Sequence, residues 1–215
     1  MKINNQLIKD NVELRMDARK QLRGKWGIAI LLCFVLFIVS GLSAIPYIGV
    51  IINLLLSGVL ILGLVSCFMK IVREETFRIE NLFDGFKNFG SAFLLQILIE
   101  LFTFLWSILL LIPGVIARYR YYMAFYILND NPEIGAMAAL NASKKIMRGF
   151  KWKLFCLHLS FIGWGLLCIL SLGIGFLWLI PYINASVANF YQNLKEAIET
   201  DFITGENQTL AKVNL

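Results

Sequence analysis

Runs of about twenty apolar residues alternate along the chain with shorter stretches rich in charge, and this alternation sets the expected architecture. A helix rising about 1.5 Å per residue needs roughly twenty residues to cross a hydrocarbon core of about 30 Å. Six runs are read this way, near residues 27–44, 50–69, 91–112, 115–128, 154–172 and 175–194. The links at 45–49 (Ile-Pro-Tyr-Ile-Gly), 113–114 (Pro-Gly) and 173–174 (Gly-Ile) are short and uncharged, so consecutive helices pair as hairpins over 27–69, 91–128 and 154–194. The fourth run is the shortest, reaching only about 21 Å as a helix.

The charged stretches have a helical period of their own. In residues 3–23, Ile3, Leu7, Leu14, Ala18 and Leu22 share one arc, and Arg15, Arg19 and Arg23 form an i, i+4, i+8 row on its flank. That pattern predicts a helix lying in the membrane interface, apolar face down, with guanidinium groups at headgroup level. Residues 71–86 carry Ile71, Phe77, Leu82, Phe83 and Phe86 on an apolar side, with Glu74 and Arg78 spaced for an i, i+4 pair. Residues 132–148 open on the capping signal Asn131-Pro132-Glu133. They then present Ala136, Ala139, Leu140, Ser143, Ile146 and Met147 on one face, and Asn141, Lys144, Lys145 and Arg148 on the other.

A similar short text precedes each hairpin: Gly24-Lys25-Trp26, Gly85-Phe86-Lys87-Asn88-Phe89 and Gly149-Phe150-Lys151-Trp152. The expected fold is therefore all-α, with six transmembrane helices in three hairpins. Each hairpin follows a cytoplasmic amphipathic helix and a glycine hinge, and a cytoplasmic tail occupies 198–215.

Composition removes the alternatives. Of 215 residues, 59% are hydrophobic and 16% charged, and the mean hydropathy is +0.72. Soluble domains carry roughly 25% charged residues, so the surroundings of this chain are lipid. Residues 1–25 hold seven Lys/Arg against three acids and residues 113–153 hold seven against two. By the positive-inside rule both termini are cytoplasmic in a multi-pass cell-membrane protein. The basic clusters adjoin the apolar runs and are accounted for by topology, so no nucleic-acid partner is expected. Anionic lipid headgroups are the expected partners, with a second copy of the chain or another membrane protein as the further expectation; the small-residue face of 132–148 suits close packing on another helix.

Glu100 lies about 13 Å into the third run, where an ionised carboxylate is costly and calls for a partner. With the hairpin apex at Pro113, Arg118 and Arg120 stand about 12 Å further out. His158, about one turn into the fifth run, is closer in depth and is the expected partner. Arg118, Tyr122 and Tyr126 recur every four residues, and Arg118 or Arg120 is a candidate grip on a phosphate of lipid or substrate. Catalytic signals are weak. The single histidine excludes a multi-histidine metal site, no Cys-x-x-Cys occurs, and Cys33, Cys67, Cys156 and Cys168 stand among apolar neighbours. No metal, cofactor or catalytic residue is expected.

Gly-Lys-Trp-Gly at 24–27, Leu-Phe-Asp-Gly-Phe at 82–86, Ile-Pro-Gly at 112–114, Tyr-Tyr-Met-Ala-Phe-Tyr-Ile-Leu at 121–128, Asn-Pro-Glu at 131–133 and Trp-Lys-Leu-Phe at 152–155 form a recognisable set. Through them the chain resembles the bacterial integral-membrane family called domain of unknown function 975, over roughly residues 7–195. More distantly, it is similar to the membrane domain of some glycerophosphodiester phosphodiesterases. The first resemblance implies a bacterial membrane location and carries no mechanism; the second lacks its catalytic domain here. The reading is a non-enzymatic, lipid-interacting or partner-binding membrane module. The alternative is a small permease or a lipid- or peptide-translocating subunit using Glu100 and His158.

Overall fold

A computed structural model of the chain describes residues 8–41, 48–76, 78–109 and 111–213. Among the described residues all regular structure is helical. Three helical segments are long and apolar enough to cross a membrane, Leu54–Val72, Ile79–Ile108 and Lys151–Leu170, or four if the bent pair Asn11–Gln21 and Trp26–Val39 counts as one.

Helix α1 (Asn11–Gln21) is started by Glu13, whose carboxylate accepts the Asp10 N–H at 3.1 Å. Its predicted apolar arc forms, with Leu14, Ala18 and Leu22 fully buried. The arc is covered by protein, because α1 packs along the last helix, α10 (Phe176–Val213). Gln21 and Asn189 exchange side-chain hydrogen bonds of 3.2 and 2.6 Å across that contact. Residues 3–7 of the predicted helix lie outside the described residues. After α1 the chain turns by 103° into α2 (Trp26–Gly41) through Gly24, whose φ of 75° lies in the left-handed region that glycine enters without strain.

Helix α3 (Ile48–Val72) is the centre of the molecule, touching α1, α2, α4, α6 and α10. In its most apolar window 61% of the residues are buried within the protein, against 22% for each of the other two candidate spans. The expected interfacial helix at 71–86 does not form. Residues 71–72 finish α3, Glu74 takes a left-handed φ of 57°, and Ile79–Asn88 is a 3-10 helix laid against α3. Two glycines explain this: a Cβ on Gly63 would strike the Leu82 backbone, and one on Gly85 would strike the Val59 carbonyl. The second glycine of the repeated hinge text thus serves close approach, and the turn at Glu74 also removes the i, i+4 geometry expected for Glu74 and Arg78.

Helices α4 (Phe89–Leu109) and α5 (Leu111–Tyr121) run antiparallel, with Gly114 against Ser107 and Arg118 beside Glu100. Helix α5 begins at Leu111, so Pro113 and Gly114 belong to its first turn, where proline is tolerated. The run at 115–128 is not one helix. It breaks at Tyr122–Met123, and α6 (Ala124–Asp130) has its first five residues buried. A short 3-10 turn, Pro132–Ile134, and Gly135 at φ 77° then lead into α7 (Ala136–Ile146), which buries the predicted residues Ala136, Ala139, Leu140 and Ser143.

Gly149, at φ 94°, is the second hinge of the predicted kind. It precedes α8 (Lys151–Leu159), which is separated from α9 (Ile162–Leu170) by Ser160 and Phe161. On and after α9, Leu166, Ile169, Leu170 and Leu172 are 60, 65, 80 and 94% exposed. An apolar surface of this kind is compatible with contact with lipid. Helix α10 is long but carries Asn184, Asn189, Gln192 and Asn193 among apolar residues and is not one of the three spans; it continues without interruption through the expected tail to Val213.

Polar contacts from distant parts of the chain gather toward one end. Lys9 N–H donates to Asn193 at 2.8 Å, Arg73 donates to Asp130 at 2.8 and 3.0 Å, and Lys195 donates to Asp130 at 2.7 Å.

Candidate functional site

Helix α5 separates two cavities. At 100° per residue, positions two apart point to nearly opposite sides, so Arg118 and Arg120 face different neighbours.

The first cavity, of about 250 Å³, lies among α3, α4, α5, α6 and α10. Its polar lining includes Gln96, Glu100, Arg118, Tyr122 and Asn184, and its apolar wall includes Ile61, Leu64 and Ile99. Glu100 meets Arg118 there, with Oε1 3.8 Å from Nη1, and also accepts the Gln96 amide at 3.1 Å. The expected partner, His158, is engaged elsewhere. Its Nδ1 donates to the Leu154 carbonyl at 2.9 Å, and in the neutral ring its Nε2 accepts the Tyr122 hydroxyl at 3.4 Å. Tyr119 stands edge-on to the same ring, 5.7 Å between centroids. The correction follows from where the chain reverses. An apex at Pro113 offsets Glu100 from Arg118 by about 12 Å, whereas an apex three residues earlier reduces the offset to about 3 Å, within reach of an arginine.

The second cavity, of about 880 Å³, is lined by Arg120, Lys144, Lys145, Arg148 and Lys151, with Asn131 and a floor that includes Ile127, Ile146 and Ile198. Its construction is local and specific. Buried Ser143 donates from its hydroxyl to the Arg120 carbonyl at 2.9 Å, which fastens α7 to α5 and turns the basic face of α7 toward Arg120. The Lys144 ammonium lies over the rings of Phe102 and Tyr121, at 5.5 and 5.6 Å, and donates to Asn141 at 3.2 Å. Gly149 then lets the chain turn so that Lys151 joins the same wall.

No carboxylate among the described residues pairs with any of these five cations. Asp130, next to the lining residue Asn131, is already held by Arg73 and Lys195, with its side chain only 3% exposed. Burial alone would raise its pKa, but the hydrogen bonds from Lys195 and Arg73 outweigh burial and hold the carboxyl below its ordinary value. The cavity is therefore a concentrated positive field open to an anion.

Sequence reasoning named Arg120, Lys144, Lys145 and Arg148, but did not place them together, and it read Lys151 only as part of the short text that precedes the third hairpin. Its signal was the lysine after the hinge glycine. The arginine row of α1 is dispersed. Arg15 donates to the carbonyls of Asn11 and Ser160, each at 3.3 Å, and lies over Phe161, so it serves the break between α8 and α9. Arg19 lies over the Tyr182 ring at 5.5 Å, and Arg23 is exposed in the turn after α1. Among the described residues no group of three or more His, Cys, Asp or Glu is arranged to hold a metal ion.

The family model described as "Protein of unknown function (DUF975)" matches residues 1–116 and 108–198. No curated protein and no solved structure matches the chain, and the more distant likeness to a phosphodiesterase membrane domain has no counterpart in these comparisons. With the matched segments together reaching from residue 1 to residue 198, the chain belongs to the DUF975 family.

Proposed function

We propose that the protein is a multi-pass bacterial cell-membrane module that binds an anionic phospholipid headgroup from the cytoplasmic side, and that it acts by binding rather than by catalysis. The observation carrying this reading is the cavity of five cations that have no carboxylate partner among the described residues. Arginine forks match phosphate oxygens, lysines supply further charge, and basic groups near an anionic leaflet contribute about 1 kcal/mol each. The isoleucine floor suits the glycerol and first acyl carbons of a lipid better than a free ion.

Arg73 just after α3, Asp130 at the end of α6 and Lys195 in α10 meet at one place, as they would if α2 with α3, α4 with α5, and α8–α9 with α10 were three hairpins opening toward it. This supports both termini lying with the lysines and arginines on the inner side. At eleven residues α5 reaches only about 16 Å, so its arm crosses only together with α6.

The test is native mass spectrometry of the full chain released from phosphatidylglycerol nanodiscs. Replacing Lys145, Arg148 and Lys151 with Gln is expected to lower retained phosphatidylglycerol at least about tenfold, since each charge-assisted contact contributes roughly 1.5 kcal/mol or more. Unchanged retention in folded protein contradicts the reading.

A further inference from the structure

The cavity on the other side of α5 holds both signs of charge. Glu100 and Arg118 lie within the Ile79–Ile108 span and on the facing helix, yet their side chains are 51 and 62% exposed rather than sealed in the protein. Ionisable groups at such positions are expensive and are kept where they meet a ligand, an ion or each other. Here they meet each other incompletely. At 3.8 Å the closest oxygen and nitrogen are beyond hydrogen-bonding distance. Gln96 supplies one neutral donor to Glu100 Oε1. The guanidinium keeps its planar fork of N–H donors, and Glu100 keeps its second oxygen. Asn184, whose amide nitrogen is bound to the Ile180 carbonyl at 3.0 Å, adds an uncommitted oxygen to the lining.

The pair therefore presents a guanidinium fork and a carboxylate about 4 Å apart, each with free hydrogen-bonding capacity, against a wall of Ile61, Leu64 and Ile99. We infer that this cavity is a binding site for a zwitterionic aminoalkyl phosphodiester, the chemistry of an ethanolamine phospholipid headgroup. The phosphate oxygens take the Arg118 fork and the primary ammonium donates to Glu100, replacing a loose internal pair with two charge-assisted contacts. A volume of about 250 Å³ accommodates such a headgroup but not a whole diacyl lipid, so the chains remain in the surrounding bilayer. The site differs from the five-cation cavity in its residues, its charge balance and its ligand, and stands or falls separately from it.

The test uses the full chain in phosphatidylglycerol nanodiscs doped with either dioleoylphosphatidylethanolamine or dioleoylphosphatidylcholine. Both have the phosphodiester, but the choline ammonium has no N–H to donate. Native mass spectrometry is expected to find the ethanolamine lipid retained about tenfold over the choline lipid. Glu100→Gln is expected to erase that preference while phosphatidylglycerol bound in the five-cation cavity is unchanged. Excess soluble glycerophosphoethanolamine separates the two sources of this chemistry: displacement of the lipid assigns the site to the free headgroup as well, and no displacement assigns it to the intact lipid. Equal retention of the two lipids by the unmodified protein, or a preference for choline, overturns the proposal without any variant having to fold. So does a preference that survives Glu100→Gln.

Discussion

Arg118 and Arg120 stand on the same two turns of α5 and meet opposite chemistry. Arg118 faces α4, which offers the Glu100 carboxylate beside an apolar wall, whereas Arg120 faces α7 and the turn after it, which offer Lys144, Lys145 and Arg148 and no acid. The residue type is the same, and the neighbouring helix decides what it does. On the α4 side the guanidinium is half of a balanced pair that selects for a ligand bearing both charges. On the α7 side it joins an unbalanced set that draws any anionic headgroup. A short helix with alternating arginines can in this way serve two sites without either neutralising the other.

The largest effect on this arrangement is expected from Asp130, which precedes the cavity residue Asn131 and holds both Arg73 and Lys195. Removing one partner of a fully buried ion pair costs roughly 3–5 kcal/mol. Because Arg73 and Lys195 are 29 and 38% exposed, Asp130→Asn is expected to cost less, about 2–3 kcal/mol. It is also expected to raise phosphatidylglycerol retention, since two more cations are freed beside Asn131. Thermal unfolding in detergent and native mass spectrometry read the two effects; a variant as stable as the parent removes Asp130 from its bridging role.

The same carboxylate gives a pH dependence. Its pKa is depressed in the folded chain, so its contribution is full above the unfolded value of about 3.9 and is lost as pH falls through the lower folded value. The acid limb of the stability profile is expected to flatten in Asp130→Asn.

A smaller effect is expected from Ser143→Ala. Losing the hydroxyl leaves the Arg120 carbonyl without that donor and costs about 1 kcal/mol. It loosens α7 from α5 and is expected to lower phosphatidylglycerol retention several-fold while leaving the Glu100 and Arg118 side unaffected. Equal losses on both sides would show that the two cavities are not separable.

Much of this was legible in the chain. Three of the six apolar runs, the glycines at 24 and 149 with positive φ, and the buried face Ala136, Ala139, Leu140 and Ser143 follow from period and residue type. What escaped depends on contacts between distant segments. The 3-10 course of 79–88 exists because Gly63 and Gly85 let two backbones touch, and helical periodicity in one segment carries no record of the other. The covered face of α1 has the same spacing whether it meets lipid or α10. The Glu100 and Arg118 pair was missed through one assumption, that Pro-Gly marks the apex. A proline in the first turn of the returning helix is equally compatible with its chemistry, and a three-residue shift of the apex changes which charges share a depth.

The central claim is that α5 divides an anion site from a site already balanced by its own carboxylate. A cryo-electron microscopy map of the full chain in nanodiscs of phosphatidylglycerol alone tests it most directly. The account predicts headgroup density between Arg120 and the cations of α7, with Arg118 still beside Glu100 and without a phosphate. Density for a phosphate on Arg118, or a basic cavity with no headgroup in it, would contradict the account.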